Sequence, residues 1–271
     1  MSRLSLDSSR HLAPPYQDDG EFWEDWPRQA ARAALKAVGL PASYEVGVLT
    51  DVVRHLRSQL EGAFGVGITE AVFTASHLVA LYQDDLEDVA AHLGLRYVTP
   101  RREFHPLVWE SSSAYAGHGR GLCKAWWNDT ECALEPMPKV SLLSVHYSQT
   151  ALTVALAAIW DAGGLWEPEY RHSENFSLGR DAMSGYATEE LYWQEARRQV
   201  LAIMEEYPYF PKPDLVMVTG DAVERAFLEN LEAALLANMG RVPEILSDQP
   251  VVVAARGAAE FMRRGPAPWS Q

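Results

Sequence analysis

Two cysteines and eight histidines are the residues of this 271-residue chain that could hold a transition metal. A structural zinc site takes four such ligands in closely spaced pairs. No His-x-x-x-His or His-Glu-x-x-His pair occurs, and Cys123 and Cys132 have no second pair to join them. Glu110-Ser-Ser-Ser113 sets hydroxyls beside a carboxylate, but a serine hydrolase presents its nucleophile on a Gly-x-Ser-x-Gly elbow, which this chain lacks. There is no Walker loop and no Gly-x-Gly-x-x-Gly; Gly117-His-Gly119-Arg-Gly121 is flexible, follows no clear strand and reads as a loop. No metal and no cofactor is expected.

The acidic run Asp84-Asp85-Leu-Glu87-Asp88 is the one spacing that points to a metal. Carboxylates at i and i+4 share a helical face, and type I terpene synthases use Asp-Asp-x-x-Asp in this way to hold magnesium and a diphosphate. Those enzymes are all-α and carry a second metal motif downstream, whereas this chain has at least five strand-like runs and no such motif. The apolar stripe of the surrounding helix runs through Leu78, Leu81 or Tyr82, Leu86 and Val89-Ala90, so the acids are expected on its solvated side.

Composition narrows the partners. With 48% hydrophobic residues the chain can bury a substantial core, and a net charge of −14 opposes binding to a phosphate backbone, so no nucleic-acid partner is expected. No stretch approaches the roughly 18 uncharged apolar residues of a membrane span, and the N-terminus lacks the apolar run of a signal peptide. A cytoplasmic location with reduced thiols is therefore expected. Against it stand the nine-residue spacing of the cysteines and the glycosylation sequons Asn128-Asp-Thr130 and Asn175-Phe-Ser177. Nine tryptophans are expected to fill core and cover loops.

The elements that must position these groups alternate between helix and strand. Residues 1–26 read as a polar arm, and Pro27 opens a helix closing at Gly39. From Tyr44 the positions Val48, Val52, Leu56, Leu60 and Phe64 recur every four residues, which predicts one buried helical stripe. Ile68–Thr74 reads as a strand, Ser76 as the cap of a helix ending at Gly94, Leu95–Thr99 as a strand, and Ser111–Ala116 as a short helix. Val140–Tyr147, Ala151–Ile159 and Leu165–Tyr170 read as three strands, the last two joined at Asp161-Ala-Gly-Gly164. A helix over Thr188–Glu206, a parallel-type strand over Leu215–Thr219, a tight turn at Gly220, a helix from Asp221 to Asn238 and a last helix through Val252–Phe261 complete the chain. The fold class is α/β, with a second half reading βββαβα, the pattern of a ribonuclease-H-like layer. Three parts follow: an arm and helix (1–43), a first lobe (44–138) and a second lobe (139–271).

Three stretches in order resemble the actin-type ATPase superfamily, in particular the nucleotide-binding domain of the seventy-kilodalton heat-shock chaperones. Val72-Phe73-Thr74-Ala75 with Ala91-His-Leu-Gly94-Leu95 is similar to the family's V-I-T-V-P-A and A-G-L, and Val216-Met-Val-Thr-Gly220-Asp221 to its L-V-G-G turn. Asp248-Gln-Pro250 through Ala254-Ala-Arg-Gly257-Ala258-Ala259 is similar to its closing P-D-E-A-V-A-Y-G-A-A. The match covers about residues 45–265, and the chain also resembles chaperone-like proteins of filamentous fungi. It implies a two-lobed fold whose first lobe is incomplete.

The departures bear on chemistry. The family holds ATP phosphates on two Gly-rich hairpins whose acids organise metal and water. The first has no counterpart here; at the second stands Leu143-Ser-Val-His146-Tyr147-Ser-Gln-Thr150, without acid or glycine, so ATP hydrolysis is not expected. The family's Glu-Pro position falls at Glu110-Ser111. Such folds gather ligands where strand ends meet helix starts, which implies a rim of Thr74, His77, Tyr147, Ser148, Gly220 and Asp221 around an acid–base pair of Glu110 and His146. A binding or scaffold protein, possible as a homodimer with a protein partner, is one expectation. The other is an enzyme that cyclises or isomerises a small apolar molecule, as in fungal secondary metabolism, with a terpene synthase on Asp84, Asp85 and Asp88 further behind.

Overall fold

Proline near its start and glycine beyond its end delimit the first helix, α1 (Trp26–Ala37), after which Gly39 takes a left-handed φ of +77°. The computed structural model describes residues 4, 6, 9, 22–78, 80–98, 108–124, 128–162, 165–166 and 171–264. Helix α2 (Tyr44–Phe64) is capped by the Ser43 hydroxyl, which accepts the Val46 amide at 3.1 Å, and ends on left-handed Gly65. The run from Ile68 makes two short pieces in place of one strand, β1 (Glu70–Ala71) and β2 (Thr74–Ala75). Helix α3 (Gln83–His92) starts seven residues after Ser76, whose hydroxyl bonds Glu110 instead. β3 (Arg96–Tyr97) pairs in parallel with β1, and β4 (Val108–Trp109) with β2. α4 (Glu110–Gly117) and α5 (Asp129–Leu134) close this half.

Two expectations for this half are overturned. The stripe on α2 faces outward: Tyr44, Val48, Val52, Leu56, Leu60 and Phe64 are between 44% and 72% exposed, and only Val46 and Thr50 of this helix are buried. Four-residue recurrence identifies a helix, and here the body of the protein meets a different face. Two acids of α3, by contrast, point inward, Asp85 and Asp88 being nearly inaccessible at 4% and 8%, while Asp84 is partly exposed and Glu87 lies on the solvated side as expected. Arg32 of α1 lies 2.7 Å from each of them, Lys36 2.7 Å from Asp88, and Arg28 3.0 Å from Asp84. Such a network pairs Asp84, Asp85 and Asp88 with cations 52 to 56 residues away in sequence, so these acids tie α1 to α3.

The second half is a six-stranded mixed sheet. β5 (Val140–Tyr147) and β6 (Leu152–Ile159) form an antiparallel hairpin; β7 (Leu165–Trp166) and β8 (His172–Asn175) both pair antiparallel with β6. After α6 (Glu189–Glu206), β9 (Leu215–Thr219) lies parallel to β5, and after α7 (Arg225–Met239), β10 (Glu244–Leu246) lies parallel to β9. α8 (Val253–Arg264) ends the described chain. All five residues of β9 are buried, as expected for a strand covered on both faces. The third strand was expected over Leu165–Tyr170, of which 167–170 lie outside the described residues; β8 follows it and carries a polar sequence.

One face of the sheet packs on α6 and α7 through Leu143, Val145, Val216, Ile203 and Leu235. The other face, with Leu142, Met217 and Ile159, meets Leu81, Tyr82, Trp109 and Val253 of α8. α4 and α8 cross so closely that a Cβ on Gly257 would lie 1.7 Å from the Ser113 carbonyl oxygen, and one on Gly117 would lie 2.1 Å from that of Val253. This crossing clamps the halves together. Contrary to the expected reduced thiols, Cys123 is disulfide-bonded, and the sequence supplies one other cysteine. No helix among the described residues is long and apolar enough to cross a membrane.

Candidate functional site: a polar layer between the halves

Alternation along β5 decides which side chains reach the second face. Leu143, Val145 and Tyr147 point into the core under α6 and α7, and Leu142, Ser144 and His146 point the other way. Register then adds Thr153 of β6 opposite His146, and Thr219 of β9 beside it. β8 brings Glu174 opposite Thr153 and His172 opposite Ala155. Across from this polar patch stand Ser76 and His77, after β2, and Glu110 and Ser111 at the start of α4.

Glu110 is the centre. Its Oε1 lies 2.8 Å from Nδ1 of His146, and the Ser76 hydroxyl donates to its Oε2 at 3.0 Å. Thr219 Oγ1 is 3.1 Å from the same imidazole nitrogen. Burial alone would raise the Glu110 pKa, but hydrogen bonding and charge from His146, with the Thr219 and Ser76 hydroxyls, bring it below the usual value. The helix N-terminus also favours the anion. Burial would lower His146, yet Glu110, and more weakly Asp221, raise it. Both directions favour carboxylate beside imidazolium.

Next to this pair lies a neutral histidine. His77 is 7% exposed, stacks on Trp109 with centroids 4.4 Å apart, and shares a 3.0 Å hydrogen bond between Nε2 and the Ser111 hydroxyl. Burial, helped by the neighbouring charge of His172, pushes its pKa down to about 3. His172 in turn stands 3.2 Å from Glu174. Proton exchange between Glu110 and His146 is geometrically possible, but the space enclosed by Ser76, His77, Glu110, Ser144, His146 and Thr153 is about 10 Å³. That is about the volume of one water probe.

The remaining rim residues do not converge on that space. Tyr147 lies on the opposite face, fully buried, stacked on Phe227 at 4.2 Å and hydrogen-bonded to the Tyr192 hydroxyl at 2.9 Å. Its ring is core and fills no phosphate site. Ser148 closes the β5–β6 turn, donating its amide to Ala151 O at 2.9 Å and accepting the Ala151 amide on its hydroxyl at 3.1 Å. Asp221 accepts the Gln149 amide at 3.0 Å. Gly220 has φ +114° and no room for a side chain, since a Cβ would sit 2.0 Å from Tyr147 O. Thr74 belongs to β2 and borders a separate, open trough with Ala255 and Ala258 of α8.

Comparison of the chain with protein-family models and with curated proteins finds no match. Among the described residues no group of three or more His, Cys, Asp or Glu side chains could hold a metal. A larger hollow of about 470 Å³, lined by Leu4, Arg28, Arg32, Ala42 and Asp85, lies between α1, α2 and α3; its arginines are already committed to the acids of α3. Sequence reasoning singled out Glu110, His146 and His77, took Ser76 for a helix cap within the rim stretch 74–77 and Ser111 for the residue after the family's Glu position, and passed over His172, Glu174 and Thr219. His172 and Glu174 stand in a stretch with the composition of a loop, and the Thr219 hydroxyl carries no local mark of its partner.

Proposed function

We propose that the chain is a catalytically degenerate member of the actin-like and heat-shock chaperone ATPase superfamily, a binding or scaffold protein that does not hydrolyse ATP. The observation that carries this reading is the closed layer around Glu110 and His146: about 10 Å³ of space, where a triphosphate with its metal needs hundreds. The sheet order supports the ribonuclease-H-like expectation, since β8, β6 and β5 run antiparallel and β9 and β10 continue in parallel beyond β5. The β5–β6 turn supports it further, because Ser148 and Ala151 satisfy each other where the family's hairpin turns its amides to phosphate.

A second reading, an acid–base enzyme, is favoured by the 2.8 Å contact of Glu110 and His146. It ranks behind because a water-sized space does not admit an apolar small molecule. The terpene synthase alternative ranks lower still, because Asp85 and Asp88 are occupied by Arg32. Cytoplasmic residence is opposed by the disulfide at Cys123, which weighs towards an oxidising compartment.

The deciding experiment is calorimetric titration and thermal shift with ATP and ADP, with and without magnesium. No heat and no change in melting temperature are expected. A magnesium-dependent rise in melting temperature overturns the reading.

A further inference from the structure

We propose that the hollow between α1, α2 and α3 binds a neutral small molecule with an apolar body and a hydrogen-bond acceptor such as a carbonyl. Small residues build the site. One face of α1 presents Arg28, Ala31, Arg32 and Leu35, at spacings of three and four, and Ala42 of the α1–α2 loop and Ala80 ahead of α3 line the same space. Where three elements contribute methyl groups the space between them is left unfilled, and about 470 Å³ stays open, within the range of small-molecule sites. Leu4 closes one wall: it is 6% exposed, and its carbonyl accepts the Ala80 amide at 2.8 Å. This goes beyond the scaffold reading and is independent of it, since the hollow shares no described residue with the layer around Glu110 and His146.

The polar groups select the ligand. Arg28 directs Nε to Asp25 and Nη2 to Asp25 and Asp84, and Arg32 directs Nη1 to Asp85 and Nη2 to Asp88. Among the described residues no partner meets Nη1 of Arg28 or Nε of Arg32. A guanidinium carries donors alone, so the ion pairs leave N–H groups on two residues that line the hollow, and only an acceptor completes them. Charge narrows the acceptor further. Asp25, Asp84, Asp85 and Asp88 face Arg28, Arg32 and Lys36, and Glu45 also lines the hollow, so carboxylates outnumber cations around it. A carboxylate or phosphate would add an anion to an acid-rich site whose central residue, Arg32, is 4% exposed, and an ammonium group would bring donors to donors. A neutral acceptor on an apolar body answers both constraints.

The test titrates the full chain with Nile red, a neutral dye with a single carbonyl on an apolar ring system, and in parallel with anilinonaphthalene sulfonate, an apolar anion. Nile red is expected to saturate at one site per chain, with blue-shifted emission and a Kd on the order of 10 µM, and the sulfonate to bind about tenfold more weakly or worse. Ala31 is exposed on α1, so Ala31→Trp should keep the circular dichroism and melting temperature of the wild type while its indole enters the hollow and weakens Nile red by about tenfold. Arg28→Lys keeps a cation beside Asp84 but removes the Nη1 donor, and is expected to weaken Nile red several-fold. Val52→Ser with Leu56→Ser, on exposed side chains of α2, should leave Nile red binding unchanged. The proposal is overturned by a titration that does not saturate, by Ala31→Trp binding like the wild type, or by loss of binding in the α2 variant, which would place the dye on that helix. A sulfonate that binds as tightly as Nile red, or an Arg28→Lys chain of unaltered affinity, overturns the neutral-acceptor assignment. ATP that displaces Nile red does the same; magnesium ATP that binds without displacing it would end the degenerate-ATPase reading and leave this one standing.

Discussion

The two halves solve the burial problem differently. The second half encloses its own core: β9 is covered on both faces, Tyr147 of β5 stacks on Phe227 of α7 and hydrogen-bonds Tyr192 of α6, and the sheet holds six strands. The first half has two parallel pairs of two-residue strands, and its longest helix leaves apolar side chains exposed. It is held by means other than a sheet of its own: the Arg32 network between α1 and α3, and the α4–α8 crossing onto the second half. Short strands give few ladder hydrogen bonds, so charge pairing and close backbone contact carry weight there that packing carries elsewhere. The polar layer of Glu110, His146 and His77 marks the seam.

The largest way to break this asymmetry is at Arg32. Arg32→Met leaves Asp85 buried without a cation and Asp88 with Lys36 alone, and removing one partner of a buried pair costs about 3–5 kcal/mol. The sign with pH is fixed by Asp85. Burial already raises its pKa against the pull of Arg32, and losing Arg32 raises it further. A carboxyl raised in the folded state favours folding when protonated, so the deficit is expected to be full at neutral pH and to shrink as pH falls through the raised value. Chemical denaturation from pH 4 to pH 7 reads this directly, and a deficit that grows in acid would contradict it.

Next comes the clamp. Gly257→Leu drives a side chain into the Ser113 carbonyl, an overpacking that costs about 3 kcal/mol. The effect should be local. Hydrogen exchange is expected to speed up in α2, α3 and α4 while β5 and β9 keep their protection, because only the second half retains a complete core. Equal loss of protection in both halves would mean that they are a single cooperative unit.

The seam gives a smaller effect with a distinctive pH profile. Glu110 is lowered from 4.5, so its contribution is present above that value and is lost as pH falls through the folded value. His146 is raised from 6.5, so its contribution is full below that value and is lost as pH rises through the folded value. The pair therefore stabilises most between about pH 4.5 and 6.5. His146→Gln should cost about 1.5 kcal/mol in that window, as expected for a hydrogen bond to a charged group, and less on either side. Melting temperatures of the variant and wild type from pH 4 to pH 9 test this; a difference that is flat with pH would assign His146 a packing role alone.

The same contrast explains what could be read from the sequence. β5, β6 and β9 were legible because strands buried in a sheet carry apolar runs, and α1 and α6 because a proline and a threonine sit at their starts. β8 was not legible, since His172-Ser-Glu-Asn175 has the composition of a loop and becomes a strand through pairing with β6. Asp85 and Asp88 of α3 looked solvated because the residue that pairs with them, Arg32, belongs to a different helix. Glu110 and His146 were found by their place at strand and helix ends; the hydroxyls that hold Glu110 ionised were not, because a serine or threonine carries no local mark of its partner. Pairing of Cys123 was likewise beyond local pattern, since spacing permits a bridge without requiring one.

The smallest expected effect sharpens the comparison most. Period four marks α2 as strongly as any buried helix, so sequence pattern alone assigns Leu56 the weight of a core leucine such as Leu235 of α7, which is fully buried. Truncating a buried leucine to alanine costs about 2–5 kcal/mol, through lost transfer energy and the cavity left behind. Leu56 is 52% exposed, leaves no cavity when shortened, and alanine is the better helix former. Leu56→Ala is therefore expected to change the unfolding free energy by less than about 0.5 kcal/mol when measured by chemical denaturation. A loss of about 2 kcal/mol there would mean that Leu56 is packed within its own chain, and that the first half owns a core its short strands do not reveal.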